Sequence, residues 1–191
     1  MIGIIFGPPG SGKGTQAARI ESEFHLAHLS TGEILRDEVA RGTEIGLEVA
    51  RKMSAGDLVP DELIVSIVRR RLPASEAGAG VLLDGFPRTL QQAGALDEML
   101  ATEGHRVDVV IALEVPESAL VDRILHRAAV EGRADDTREA IAERMHEYHK
   151  LTAAVLDHYR KRDVRVEVID GVGDVDAVFQ RIRQAFDMPS R

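Results

Sequence analysis

Residues 7–15 read Gly-Pro-Pro-Gly-Ser-Gly-Lys-Gly-Thr and follow the apolar run Met1-Ile2-Gly3-Ile4-Ile5-Phe6. Glycine at this density lets consecutive backbone N–H groups turn inward, and a helix starting here adds the positive end of its dipole. Lys13 supplies a mobile point charge, so the segment is suited to cradling phosphates. Gly7, Gly12 and Lys13 meet the spacing G-x-x-x-x-G-K-[ST], but Gly14 stands where a Mg²⁺-binding hydroxyl is expected and Thr15 comes one residue late. That variant separates the loop from those of most GTPases and motor ATPases.

A second set of residues suits work on anions. Arg36, Arg88, Arg123, Arg127, Arg133 and Arg144 fall at loops or at helix ends near loops. Arg123 and Arg127 share a helix face by their four-residue spacing. Arg133 sits in Gly132-Arg133-Ala134-Asp135-Asp136, where the flanking acids could hold its guanidinium. Phosphoryl transfer asks mainly for positioning and charge neutralisation, and therefore for a cradle, a lysine, a metal and several arginines. Asp84 closes the apolar run Val81-Leu82-Leu83 and heads Asp84-Gly85-Phe86-Pro87-Arg88. A carboxylate there suits orienting a water on Mg²⁺; position alone suits the capping of a turn as well.

The elements that must position these residues alternate between strand-like and helix-like patterns. Helices are expected over 13–24, 32–41, 44–54, 60–72, 89–103, 117–127, 137–162 and 174–186, and strands over the N-terminal run, 26–29, 81–83, 107–115 and 164–169. Ser30-Thr31 caps the helix that follows it, and Pro60-Asp61-Glu62 opens another. Strands separated by helices imply an open, doubly wound α/β fold with a parallel sheet, whose ligand sits at the carboxyl ends of the strands. Residues 30–59 hold helices without a strong strand and read as an insertion on the sheet. Residues 128–136 read as a short flap.

The 191 residues suit one domain, and 44% hydrophobic content is enough for a packed core. No apolar run approaches ~20 residues, no signal peptide is expected at the N-terminus, and zero cysteines leave no disulfide scaffold or thiolate zinc site. A net charge of −8 argues against a general nucleic-acid binder. The reading is a cytoplasmic protein with no membrane partner. Of the 24 basic residues only Lys13, Lys52, Lys150 and Lys161 are lysines; the rest are arginines, whose planar forks suit phosphate. His146 and His149 lie i,i+3 on the long helix, a spacing that suits a polar helix face better than a metal pair, since no further ligand pattern accompanies them. His25, His28, His105 and His126 carry no argument for catalysis.

Taken together, Gly7–Thr15 with Gln16, Ser30-Thr31-Gly32-Glu33 with Leu35-Arg36, Asp84-Gly85-Phe86-Pro87-Arg88-Thr89 with Gln92, and Gly132-Arg133-Ala134-Asp135-Asp136 resemble the adenylate kinases of the nucleoside monophosphate kinase family. The resemblance covers essentially the whole chain, and Asp-Gly-Phe-Pro-Arg is a specific signature of that family. It implies a P-loop α/β domain with core 1–29, 60–127 and 137–191, an AMP-binding insertion at 30–59 and a lid at about 128–136. It implies transfer of the terminal phosphate of ATP to AMP with Mg²⁺, giving two ADP. Gly10, Ser11, Gly12, Lys13, Gly14 and Thr15 would cradle the ATP phosphates, with Arg123 and Gly173 at its adenine and Arg127 on its phosphates. Thr31, Arg36, Asp57, Leu58, Val59, Gly85, Phe86, Pro87, Arg88 and Gln92 would hold AMP, with Arg88 on its phosphate and Gln92 at the adenine edge. Arg133 and Arg144 would close over the reacting phosphates. The catalytic set is then Lys13, Arg88, Arg127, Arg133 and Arg144, and Mg²⁺ has no direct protein ligand, with Asp84 and Thr15 at one remove.

The short segment between Arg127 and Asp136 and the lack of cysteine correspond to the short-lid form, without structural zinc. Ala128-Ala129-Val130 is blander than the polar lids of the family. UMP/CMP kinases share everything but acceptor choice; Thr31 and Gln92 favour adenine, because a glutamine amide pairs with the donor–acceptor edge of a purine. A regulatory P-loop protein is the alternative of another class, but it leaves Asp84–Arg88 without a role, and an Asn-Lys-x-Asp guanine signature is absent. A monomer is expected, since no helix shows a spare apolar face.

Overall fold

The computed structural model describes residues 1–75, 80–131 and 137–187. Its elements are β1 (Ile2–Phe6), α1 (Lys13–Phe24), β2 (Ala27–Ser30), α2 (Thr31–Ala40), α3 (Glu44–Ala55), α4 (Asp61–Ser75), β3 (Val81–Asp84) and α5 (Leu90–Thr102). They continue with β4 (Val109–Glu114), α6 (Glu117–Glu131), α7 (Arg138–Glu147), a π-helical turn (Tyr148–Thr152), α8 (Ala153–Arg160), β5 (Arg165–Asp170) and α9 (Val175–Asp187). Among the described residues no helix is long and apolar enough to cross a membrane.

The strands form one parallel sheet in the order β2-β3-β1-β4-β5, the α/β class that the alternation of elements implies. Ile5 lies opposite Asp84 and Ile111, and Ser30 lies opposite Asp84, so the carboxyl ends of β1, β2 and β3 are level. Connections run from β1 to β2 on one side and return past β1 to β4 on the other. The crevice of such a sheet opens at that reversal, beyond the end of β1.

The central strands are apolar throughout because both of their faces are covered. Ile2, Ile4, Phe6, Val81, Leu83 and Val110 face a layer that α4, α5 and α8 fill with Ile67, Val68, Leu96, Leu100, Val155 and Tyr159. Ile5, Leu82, Ile111 and Leu113 face the opposite layer, filled by Ala17 and Ile20 of α1 and Val178, Phe179 and Ile182 of α9. At the sheet edge, β5 is covered only in part: Arg165, Val166 and Glu167 are half-buried, Val168 is exposed, and Ile169 is its buried residue.

Two helices depart from the sequence reading. α6 continues to Glu131, past Arg127, where the sequence suggests a stop. The segment 137–162, expected as one helix, is broken by the π turn. In an unbroken α-helix residues 144, 148, 152, 155 and 159 would share a face. The extra residue of the π turn rotates α8 relative to α7 by roughly a quarter turn. Val155 and Tyr159 thereby point into the core, with Thr152 buried on the same side of α8, while Arg144 and Tyr148 line the cleft.

Tyr159 is fully buried, and its hydroxyl has no hydrogen-bond partner among the described residues. Burial, reinforced by the charge of Asp97, pushes its pKa far up. An orphaned buried hydroxyl costs about 1–3 kcal/mol. Tyr159→Phe is therefore expected to unfold at the same or a higher urea concentration than the wild type, whereas Tyr159→Ala loses about 3–5 kcal/mol through the cavity it leaves.

Candidate active site

The loop after β1 is shaped by glycines at positions where a side chain has no room. Gly10 has φ 78°, and a Cβ on it would lie 2.6 Å from Ile124 and 2.9 Å from the Leu120 carbonyl. α1 then starts from Gly12 in a left-handed conformation, with no side-chain cap and no acid in its first turn. The contrast with α2, α3 and α7 is plain: Ser30, Thr43 and Thr137 cap them, and each carries a glutamate in its first turn. The first N–H groups of α1 are left for an anion. Lys13 folds back over the loop, its Nζ donating to Gly7 O at 2.6 Å and Pro8 O at 3.0 Å.

Across the crevice, the turn after β3 holds the second half of the site. Gly85, at φ 78°, would set a Cβ 2.9 Å from Thr31 Oγ1, so only glycine lets the turn pack against the start of α2. Thr31 Oγ1 donates to Gly85 O at 3.0 Å, which leaves its lone pairs as acceptors. The Phe86–Pro87 bond is cis. Arg88 Nε donates to Gly85 O at 2.8 Å, and Thr152 Oγ1 approaches Arg88 O at 3.5 Å. Burial and the neighbouring charges of Arg144 and Arg36 press the Arg88 pKa down, with Asp84 opposing them. Three guanidinium groups that remain charged thus converge on one place, the arrangement a phosphate dianion neutralises. Arg144 also reaches Met53 O at the end of α3, its Nη2 donating over 3.5 Å.

The two halves line one cleft of about 920 Å³. It gathers Gly10 to Thr15, Thr31, Arg36, Asp57, Leu58, Val59, Asp84 to Arg88, Gln92, Arg123, Arg144 and Gly173. Arg123 Nη1 donates to Gly171 O at 3.3 Å, beside Gly173 at the far end. Arg133 and the side chain of Arg127 lie outside the described residues.

Comparison with known proteins agrees with this geometry. A model of the adenylate kinase family matches residues 5–164. The adenylate kinase of a Nocardioides species is 48% identical over 185 residues, 97% of this chain and 96% of that protein. That of Xylella fastidiosa strain M12 is 46% identical over 182 residues, 95% of this chain and 97% of that protein. That of Xanthomonas campestris is 44% identical over the same length and shares. The chain belongs to the adenylate kinase family. It is a phosphotransferase, and the reaction of its family runs between ATP and AMP.

Among the residues that sequence reasoning passed over, Tyr148 and Thr152, the first and last of the π turn, line the cleft. His28, read as having no catalytic role, lies on β2 with Nε2 3.4 Å from Asp84 Oδ2. The strand register is what joins them, since His28 pairs with Leu82 and Ser30 with Asp84. Burial would raise the Asp84 pKa, but the His28 hydrogen bond and the charges of Lys13 and Arg88 hold it below the ordinary value. Burial would likewise lower the His28 pKa, and Asp84, with Glu33 and Glu21, more than offsets that and raises it.

Linkage gives the sign of the resulting pH dependence. The raised His28 pKa stabilises the fold fully below the ordinary imidazole value of 6.5, and that contribution is lost as pH rises through the raised value. The lowered Asp84 pKa stabilises above the ordinary 3.8 and is lost as pH falls through the lowered value. His28→Gln is therefore expected to melt below the wild type by the widest margin near about pH 6, with the gap narrowing toward about pH 8.5. Thermal unfolding across that range checks it; a gap independent of pH would count against the pairing.

Proposed function

We propose that this chain transfers the terminal phosphoryl group of ATP to AMP inside the single cleft, ATP lying on the loop of residues 10–15 and AMP on the turn of residues 85–88. The observation that supports this most is the convergence of Arg36, Arg88 and Arg144 opposite a helix N-terminus that carries neither cap nor acid. A cleft with one cationic cradle would suit a nucleotide hydrolase or switch; two facing cradles suit two phosphate chains meeting end to end.

The chemistry asks little of general bases. An oxygen of the AMP phosphate is already anionic; it forms a bond to the γ-phosphorus of ATP while the bond from that phosphorus to the β–γ bridging oxygen breaks, and ADP leaves on either side. Holding the two anions in line can supply ~7–11 kcal/mol of the barrier. Lys13 and the N–H groups of the loop orient the donor phosphates, Arg88 and Arg36 hold the acceptor phosphate, and Arg144 meets charge on the group in transit. Arg127 and Arg133 join them on this reading, from α6 and the segment beyond it. Arg123 and Gly173 bound the ATP adenine, whereas Thr31, Asp57, Leu58, Val59 and Gln92 bound that of AMP.

Among the described residues no three His, Cys, Asp or Glu side chains group to hold a metal, and Asp84, on whose carboxylate the charge of Lys13 acts, lines the cleft. This donor set fits a Mg²⁺ that arrives with the nucleotide, Asp84 holding its water and Thr15 lying nearby. When bound, the ion spreads the charge of the β- and γ-phosphates. Water must be kept from the donor, so the insertion 30–59 and the lid at about 128–136 are assigned to closing over the core made of 1–29, 60–127 and 137–191. We take the chain to act as a monomer in the cytoplasm.

A coupled assay of ADP formation from ATP and Mg²⁺, with AMP, CMP, UMP or GMP supplied in turn, tests the reading. AMP is expected to be the preferred acceptor. Arg88→Ala and Lys13→Met should each lower kcat/KM by about 10³–10⁵-fold. Preference for CMP or UMP would remove the acceptor assignment, and ATP hydrolysis indifferent to every monophosphate would remove the kinase reading itself.

A further inference from the structure

Gln92 lines the cleft and yet is only 2% exposed, and half of its amide's hydrogen-bonding capacity is already engaged by the protein. Its Oε1 accepts from the Arg88 backbone N at 2.8 Å, and its Nε2 donates to Asp61 Oδ1 at 2.7 Å. Asp61 opens α4, and its other oxygen accepts from Thr89 Oγ1 at 2.7 Å; that hydroxyl in turn caps the backbone N of Gln92 at 3.2 Å. A glutamine amide ordinarily serves either way round, since its oxygen and nitrogen are almost the same size. Here both partners have fixed polarity: a carboxylate accepts only and a backbone N–H donates only. Turning the amide over would set N–H against N–H and oxygen against carboxylate. What remains for a ligand is one N–H and one lone pair, in a fixed order.

We infer that Asp61 is a specificity-positioning residue, tethering Gln92 so that the acceptor site reads a 6-aminopurine and refuses a 6-oxopurine. This rests on the reading that the adenine of AMP lies against Gln92. The two purine classes present opposite polarity along that edge. A 6-aminopurine offers an acceptor at N1 and a donor at N6; a 6-oxopurine offers a donor at N1 and an acceptor at O6. An untethered glutamine meets either by rotating, whereas a tethered one leaves a 6-oxopurine with two mismatched contacts. Sites whose buried polar groups would be left unpaired reject the wrong substrate strongly.

The test compares kcat/KM for AMP and for IMP, with ATP as donor, in the wild type, Asp61→Asn, Asp61→Ala and Gln92→Ala. Without the carboxylate only the Arg88 N–H still sets the sense of Gln92, so the amide turns at the cost of one contact rather than two, and the AMP:IMP ratio should fall by about 10-fold in both Asp61 variants, chiefly through KM. Asp61→Asn keeps the shape and volume of the side chain, and it carries the test if Asp61→Ala does not fold. A fall of AMP and IMP together, with the ratio held, would assign Asp61 a structural role and overturn the inference. If Gln92→Ala also leaves the ratio unchanged, it is the placement of the base against Gln92 that fails, which is a separate result from failure of the tether.

Discussion

The pressure of Arg36 and Arg144 on the buried guanidinium of Arg88 is the constraint around which this cleft is built. Three like charges in a partly dehydrated groove weaken the folded chain, and the one carboxylate acting on Arg88 against them is that of Asp84. Such a cluster persists only where the surrounding structure holds it in place. Two apolar layers, one on each face of a five-stranded sheet, provide that support. On the proposed reading, the phosphate dianion of the substrate relieves that repulsion, so part of its affinity comes from charge the arginines hold together.

Asp84 is where the sheet and the site meet. It ends β3 between β1 and β2, level with Ile5 on one side and Ser30 on the other. That register brings Lys13, His28 and Arg88 around a single carboxylate, although they come from three separate stretches of chain. Removing the charge of Asp84 would therefore leave several cations facing one another with less to balance them. A group of this kind is expected beside a phosphate site, since its ionised state is secured by the same cations that bind the substrate.

Much of this was legible in the sequence, and the boundary of what was legible has a physical cause. The loop at 7–15 and the turn at 84–88 announce themselves because their chemistry is backbone chemistry: Gly10 and Gly85 sit at positive φ where a Cβ would strike a neighbour, and such demands are written locally. The order of strands and helices is legible for a similar reason, since apolar runs and helical spacing are short-range patterns. His28 was not, because its partner lies 56 residues away and only the parallel register of β2 with β3 joins them. Asp61 reads as nothing more than an acid in the first turn of a helix, a common stabilising choice; its bond to Gln92 spans 31 residues. The π turn had no local signal either. It falls where one helical segment passes from giving Arg144 and Tyr148 to the cleft to giving Val155 and Tyr159 to the core.

The same division separates affinity from selectivity. Guanidinium groups suit the phosphate of any nucleoside monophosphate, so on the proposed reading the arginine cluster cannot tell one base from another. Selection has to come from neutral groups whose donors and acceptors have a fixed sense, and a flexible surface amide lacks one. Gln92 acquires it by being buried and by spending half of its hydrogen-bonding capacity on Arg88 N and Asp61. The Arg88 residue that provides part of that tether also carries a guanidinium of the phosphate cluster, through its side chain rather than its backbone. Any shift of the turn at 85–88 that misplaces the charge would therefore also loosen the reading of the base. On the proposed reading, the grip on the phosphate and the choice of base are set by the two ends of one residue.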